Sequence, residues 1–437
     1  MKFREVLLVV VLILAGLVVY QVQTGHWNLG LNWDEDFIGV GREFTYEETR
    51  TIDAPLPALL EVANGQGWVE VRGGDQANVQ LTFKKVVWRK TEEEAKDIAG
   101  RLKYNLTATA DRLALDTNRD EFRKKNFETG FILTVPRTMA VRVTNGYGVV
   151  RVEGVKEASV RNRHGELYAS DIGGPCTLET SYEDLEAQDI RGECRITNSH
   201  ADVRAVSVTG DLWVETSYAR IRVEDAGRKA ELRGSNVDVD ARRVAGPVSV
   251  DTSYEKVFLS DVGPATVKAH NAAVMAENVR GDLDVSTSYE PVQASKIQGD
   301  LLVSASNSAV SATGVEGGRI SIASSYENVT LDDFSAEVTV VLRNGNLVLK
   351  PRDLKHGMDV RNEYGTIHLA WPAGETPRLE ARSKGGEVQW GLSEKPDVEQ
   401  TNGVSLVKAF TANSASPLIY LSTTYENIRI EAASRKF

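Results

Sequence analysis

Tyr147, Tyr182, Tyr218, Tyr254, Tyr289 and Tyr326 recur every 35 to 37 residues, and at 180–182, 216–218, 252–254 and 287–289 the tyrosine ends a Thr-Ser-Tyr tripeptide. A row of phenols is poor equipment for proton transfer at neutral pH. It offers aromatic surface and hydroxyl tips, which suit packing or recognition. The other residues able to do chemistry are sparse. Six histidines are scattered along the chain, and only His164 and His200 share a place in its repeat. Cys176 and Cys194 stand eighteen residues apart. G-x-S-x-G, P-loop, H-E-x-x-H and C-x-x-C motifs are absent, so no residue is assigned to catalysis, to a metal or to a cofactor. A polysaccharide-acting β-helix enzyme is the rival reading, and it needs carboxylates clustered on one strand face. A regulatory envelope-stress module with a membrane partner is another.

These residues are positioned by a shorter period. Segments such as "GECRITNSHADVRAVSVT" (192–209), "GDLWVETSYARIRVEDAG" (210–227) and "GPVSVDTSYEKVFLSDVG" (246–263) align as units of eighteen residues. Apolar residues fall at positions 3, 5, 12, 14 and 17, which in 210–227 are Leu212, Val214, Ile221, Val223 and Ala226. Period-two pairs broken by Gly, Ser, Asn and Asp describe two short strands, each with one inward face. Such a unit cannot bury that face alone, whereas stacked units can. The expected fold is all-β: a parallel β-solenoid with rungs of about eighteen residues. Its expected parts are a membrane helix or uncleaved signal over 1–25, a linker over 26–54, a first rung and capping strand–helix–strand insertion over 55–134, the regular solenoid over 135–351, and irregular C-terminal rungs with a cap over 352–437.

In this frame the tyrosines occupy position 9, a corner, and alternate with His164, His200, Asn236, Asn271 and Asn307. One reading is a packing ladder in which small polar residues make room for successive rings, and the intervening His and Asn favour it. The other is a row of aromatic platforms for a glycan. Cys176 and Cys194 both take inward position 3 on adjacent rungs. They pair as a disulfide or pack as buried thiols.

The 437 residues carry 51 basic and 62 acidic side chains, net −11, without a basic block, which argues against nucleic acid as a partner. Lys2 and Arg4 precede an apolar run from Val6 to Tyr20, as expected for a membrane anchor with an exported body. "LEVANGQGWVEVRGG", "ILTVPRTMAVRVTNGYGVVRVEGV" and the repeated "GDLxVxTSYxxV" units resemble the bacterial putative-adhesin family of β-strand-repeat proteins of unknown function (DUF4097-like). That resemblance implies an envelope-located β-solenoid and carries over no site residue. The expected function is therefore that of a non-enzymatic, adhesin-like or scaffold surface in the bacterial cell envelope. It would be tethered to the inner membrane by the N-terminal helix, with a glycan or an envelope protein as partner.

Overall fold

A computed structural model describes residues 41–122, 126–411 and 415–433. The anchor expected over 1–25 lies outside them, and among the described residues no helix is long and apolar enough to cross a membrane. The chain divides into two compact units. The smaller comprises Lys85–Leu102 with short flanking pieces, and the larger holds nearly everything after Thr129 together with Glu47–Lys84 and Lys103–Asn118.

The larger unit is a β-solenoid of about thirteen regular turns, spaced by about eighteen residues. Each turn gives one strand to each of two parallel sheets. Leu212–Glu215 pairs in register with Cys194–Thr197 on one side and Ala230–Arg233 on the other. Arg220–Ala226 does the same in the second sheet between Val203–Val208 and Asp238–Val244. The inward set matches the eighteen-residue frame: Leu212, Val214, Ile221, Val223 and Ala226 are all buried, as are their equivalents above and below. Trp213 faces outward, half-buried beneath the Arg195 guanidinium at 4.3 Å. The regular turns run from Ala140–Tyr147 through Ile367–Trp371, so residues 358–371 continue the stack.

Three corners bend each turn. At position 1, Gly210 is forced, because a Cβ there would lie 2.3 Å from the Gly192 carbonyl oxygen of the neighbouring turn. At position 16, and at position 9 in Tyr182 and in every turn from Tyr218 to Tyr326, the backbone enters the left-handed region. Position 16 carries Asp171, Asp189, Ser207, Asp225, Arg243, Asp261, Asn278, Lys296 and Asp333, with φ between 50° and 58°. Strands of the second sheet that carry this residue skip it in their pairing, so that Gln188 meets Val206 and Ile190 meets Val208. Within the column Arg243 bonds Asp225 at 2.6 Å, and that bond holds the Asp225 carboxyl below the usual carboxylate range.

At both ends the order of turns departs from chain order. The turn made by Leu59–Asn64 and Val69–Gly74 sits between the one that follows it in sequence, Arg112–Thr117 with Phe127–Pro136, and the regular stack. At the far end the last turn, Leu418–Thr423 with Ile428–Ala432, is inserted between Met358–Tyr364 with Ile367–Trp371 and Arg378–Lys384 with Val388–Gly391. Each terminal turn is thus held from both sides. Antiparallel strands then finish the first sheet: Tyr104–Ala108 on Arg112–Thr117 at one end, and Val404–Ala409 with Asp397–Thr401 on Arg378–Lys384 at the other. The outermost, Asp397–Thr401, is fully exposed and carries Asp397 and Glu399. Charge on a free edge discourages pairing with further chains.

In the smaller unit the expected helix spans Glu92–Arg101. Thr91 caps it by accepting from the Glu94 backbone N–H at 3.3 Å. Ala95, Ile98 and Ala99 face Val87, Leu102, Phe122 and Phe127 in a separate small core. The buried Lys85 Nζ donates to the Ala99 carbonyl at 2.9 Å.

Candidate functional site

The Thr-Ser-Tyr tripeptide divides its labour. Thr180, Thr216, Thr252 and Thr287 are buried. The hydroxyl of Thr252 donates to the Val237 carbonyl at 3.0 Å, that of Thr287 to Ala272 at 2.8 Å, and that of Thr216 to Ala201 at 3.2 Å. Each acceptor is position 10 of the preceding turn. From Val237 onward position 10 of the intervening turns points inward, at Val237, Ala272 and Ser308, while in the tyrosine turns it is an exposed Glu255, Glu290 or Glu327; at Ala201 and Ala219 it is half-buried in both kinds of turn. Two kinds of corner therefore alternate, which is why the tripeptide repeats every second turn. Replacing Thr252 with Val keeps the volume but leaves the Val237 carbonyl without its partner. Chemical denaturation should show a loss of about 1–2 kcal/mol.

The tyrosine rings stand outside this network. Exposure runs from 55 % at Tyr147 to 68 % at Tyr218 and Tyr289, so a packing ladder has little buried area to draw on. The column expected to end at Tyr326 runs further. It continues through Asn344 to Tyr364, and the inserted last turn places Tyr425 directly on Tyr364, rings parallel at 4.6 Å. The signal available for these two was the Asn-Glu-Tyr-Gly and Thr-Thr-Tyr-Glu corners of the C-terminal turns. Stacking order was the missing information: Thr423 donates to Gly365, 58 residues away, through the same bond that Thr252 makes to Val237.

Backbone geometry adds a second feature. Tyr182, Tyr218, Tyr254, Tyr289 and Tyr326 have φ between 56° and 73°, a region that bulky side chains rarely enter. Asn236, Asn271 and Asn307 occupy the same corner at φ 54–55°, where asparagine is at home. Any tyrosine here could be an asparagine at lower conformational cost, and strain of this kind gathers at functional positions. Tyr254→Asn should raise unfolding stability by about 1 kcal/mol. A loss of that size in denaturant titration would instead assign the ring a packing role.

The column has two halves. From Tyr147 to Tyr218 the intervening residues are histidines, and the rings form one continuous stack: Tyr147–His164 at 4.6 Å, His164–Tyr182 at 5.4 Å, Tyr182–His200 at 5.2 Å and His200–Tyr218 at 6.0 Å, all within 13° of parallel. Each tyrosine of this half lies beside a parallel histidine ring and yet stays more than half exposed. From Tyr218 to Tyr326 the intervening residues are the half-buried Asn236, Asn271 and Asn307, and among the described residues no ring contacts Tyr254, Tyr289 or Tyr326. A surface depression opens where the two halves meet, lined by Asp202, Tyr218, Ala219, Arg220, Asn236, Asp238 and Glu255. Arg220 engages two of its carboxylates, through its backbone N–H to Asp202 at 2.8 Å and its Nε to Asp238 at 3.1 Å.

No family model matches the chain, and no curated protein matches it. Among solved structures, a "putative cell adhesion protein" from Clostridium sporogenes ATCC 15579 aligns over 89 % of this chain and all of its own length, with 6 % identity and a TM-score of 0.17.

Cys176 and Cys194 are paired in register on adjacent turns as buried free thiols. The hydrogen bond between the two sulfurs, with burial, pushes the Cys176 thiol well above its ordinary range. Both lie inside the core and away from the corner column. His164 and His200 are members of the ring stack, and among the described residues no His, Cys, Asp and Glu cluster is arranged to hold a metal ion.

Proposed function

We propose that this protein is a non-enzymatic recognition scaffold of the bacterial cell envelope, tethered by its N-terminal apolar segment, with the tyrosine column as its contact edge. The observation that carries this reading is the run of exposed tyrosines held on left-handed backbone where asparagine would fit at lower cost. A solenoid suits the task, since a rigid stack repeats one corner at fixed spacing. The strand faces are occupied by pairs such as Arg161 with Glu179 at 2.7 Å and Arg242 with Asp240 at 2.7 Å. Paired charges of this kind leave the corner as the distinctive surface. The full chain, mixed with envelope fragments from cells that lack it, should sediment with them and release no soluble sugar. Failure to sediment would contradict the recognition role, and steady release of sugar would favour the enzymatic rival.

A further inference from the structure

In the first half of the column the chain fills the gap between successive tyrosines with its own flat, polar ring, His164 and then His200. In the second half the equivalent gaps, between Tyr218 and Tyr254, Tyr254 and Tyr289, and Tyr289 and Tyr326, hold only asparagine. The borders of these gaps are anionic: Glu255, Glu290 and Glu327 each follow a tyrosine, and Asp202 and Asp238 join Glu255 around the first gap. Three carboxylates there face the single guanidinium of Arg220, within a chain of net charge −11. A flat cation that can lie on an aromatic face while donating hydrogen bonds to a carboxylate is a guanidinium group.

We infer that the second half of the column docks an extended arginine-bearing protein segment, one guanidinium entering each asparagine gap. The inference rests on the recognition role proposed above and names its partner class. Spacing selects the conformation of that segment. Gaps recur every two turns, roughly 9.6 Å at the usual strand separation. A polyproline II chain advances about 9.3 Å in three residues and returns to the same face. A β-strand presents its third residue on the opposite face. The matching ligand therefore has arginine at every third position of a polyproline II segment.

The test uses the full chain and a fluorescent peptide of four Pro-Pro-Arg repeats, read by polarisation. Binding is expected, with affinity at least about tenfold weaker for the Pro-Pro-Lys peptide, which keeps the charge and loses the plane. The decisive variant is Asn236→His combined with Asn271→His and Asn307→His. It removes no tyrosine and no carboxylate but puts a flat ring into each gap, on left-handed backbone that His164 and His200 do not share. Binding should fall at least about tenfold while the melting temperature stays within a few degrees, because histidine tolerates the left-handed corner. Equal affinity for the arginine and lysine peptides, or undiminished binding by the triple histidine variant, would overturn the inference. So would displacement of the peptide by neutral chitin oligosaccharides at comparable concentration, which would make the edge a glycan site. If envelope sedimentation persists and depends on the tyrosines while the peptide fails to bind, the partner class alone is wrong.

Discussion

Leu212→Asp should unfold the central turns of the solenoid, lowering stability by about 3–5 kcal/mol, because it puts an unpaired carboxylate between two sheets with no water to receive it. Leu212 is 1 % exposed and flanked in register by Cys194 and Ala230. Val250→Asp, two turns on at the other inward position of the same sheet, in line with Val214 and Leu232, should behave alike. Trp213→Ala, one residue from Leu212 and on the outer face, should cost no more than about 1–1.5 kcal/mol. It loses a half-buried indole and its contact with Arg195. Denaturant unfolding followed by far-UV circular dichroism separates the two classes, and equal losses would mean that the assigned register is wrong.

The second large effect is expected from the C-terminus. A chain ending before Pro417 loses Ile419, Leu421, Ile428 and Ile430, all fully buried. By area, that is on the order of 5–10 kcal/mol of apolar burial. In a solenoid stacked in chain order, such a truncation would only shorten the end. Here the lost turn lies between Met358–Tyr364 and Arg378–Lys384, so the strands from 378 to 409 lose their foundation although their sequence is intact. Hydrogen exchange should show that region unprotected in the truncated chain and protected in the full one. Protection that survives truncation would contradict the inserted turn.

The two effects mark what was legible in the sequence. Leu212, Val214, Ile221 and Val223 announce the fold because burial between two sheets leaves inward positions no freedom of type, and the same choice repeats in every turn. The inserted turn is silent for the opposite reason: "IYLSTTYENIRI" makes as good a rung beside residue 364 as beside residue 391, and only long-range pairing decides. The left-handed residue at position 16 escaped notice because Asp, Ser, Arg, Asn and Lys all occupy it. The requirement there is for backbone shape and exposure, and no one side-chain type reports it. At the corner, the alternation of tyrosine with His and Asn was plain, but its meaning was not. Ring volume points toward burial, and only the structure shows Thr252 taking the inward place and leaving Tyr254 64 % exposed.

If the tyrosine column is a contact edge, its removal must separate binding from folding. The most direct measurement is made on one variant, Tyr254→Asn with Tyr289→Asn and Tyr326→Asn, compared with the native chain in thermal melting and in sedimentation with envelope fragments. The expected result is a melting temperature equal to or above the native value, since three strained corners are relaxed, together with loss of most of the sedimented protein. A lower melting temperature with sedimentation unchanged would show the rings to be packing, and the contact edge would have to be sought elsewhere on the solenoid.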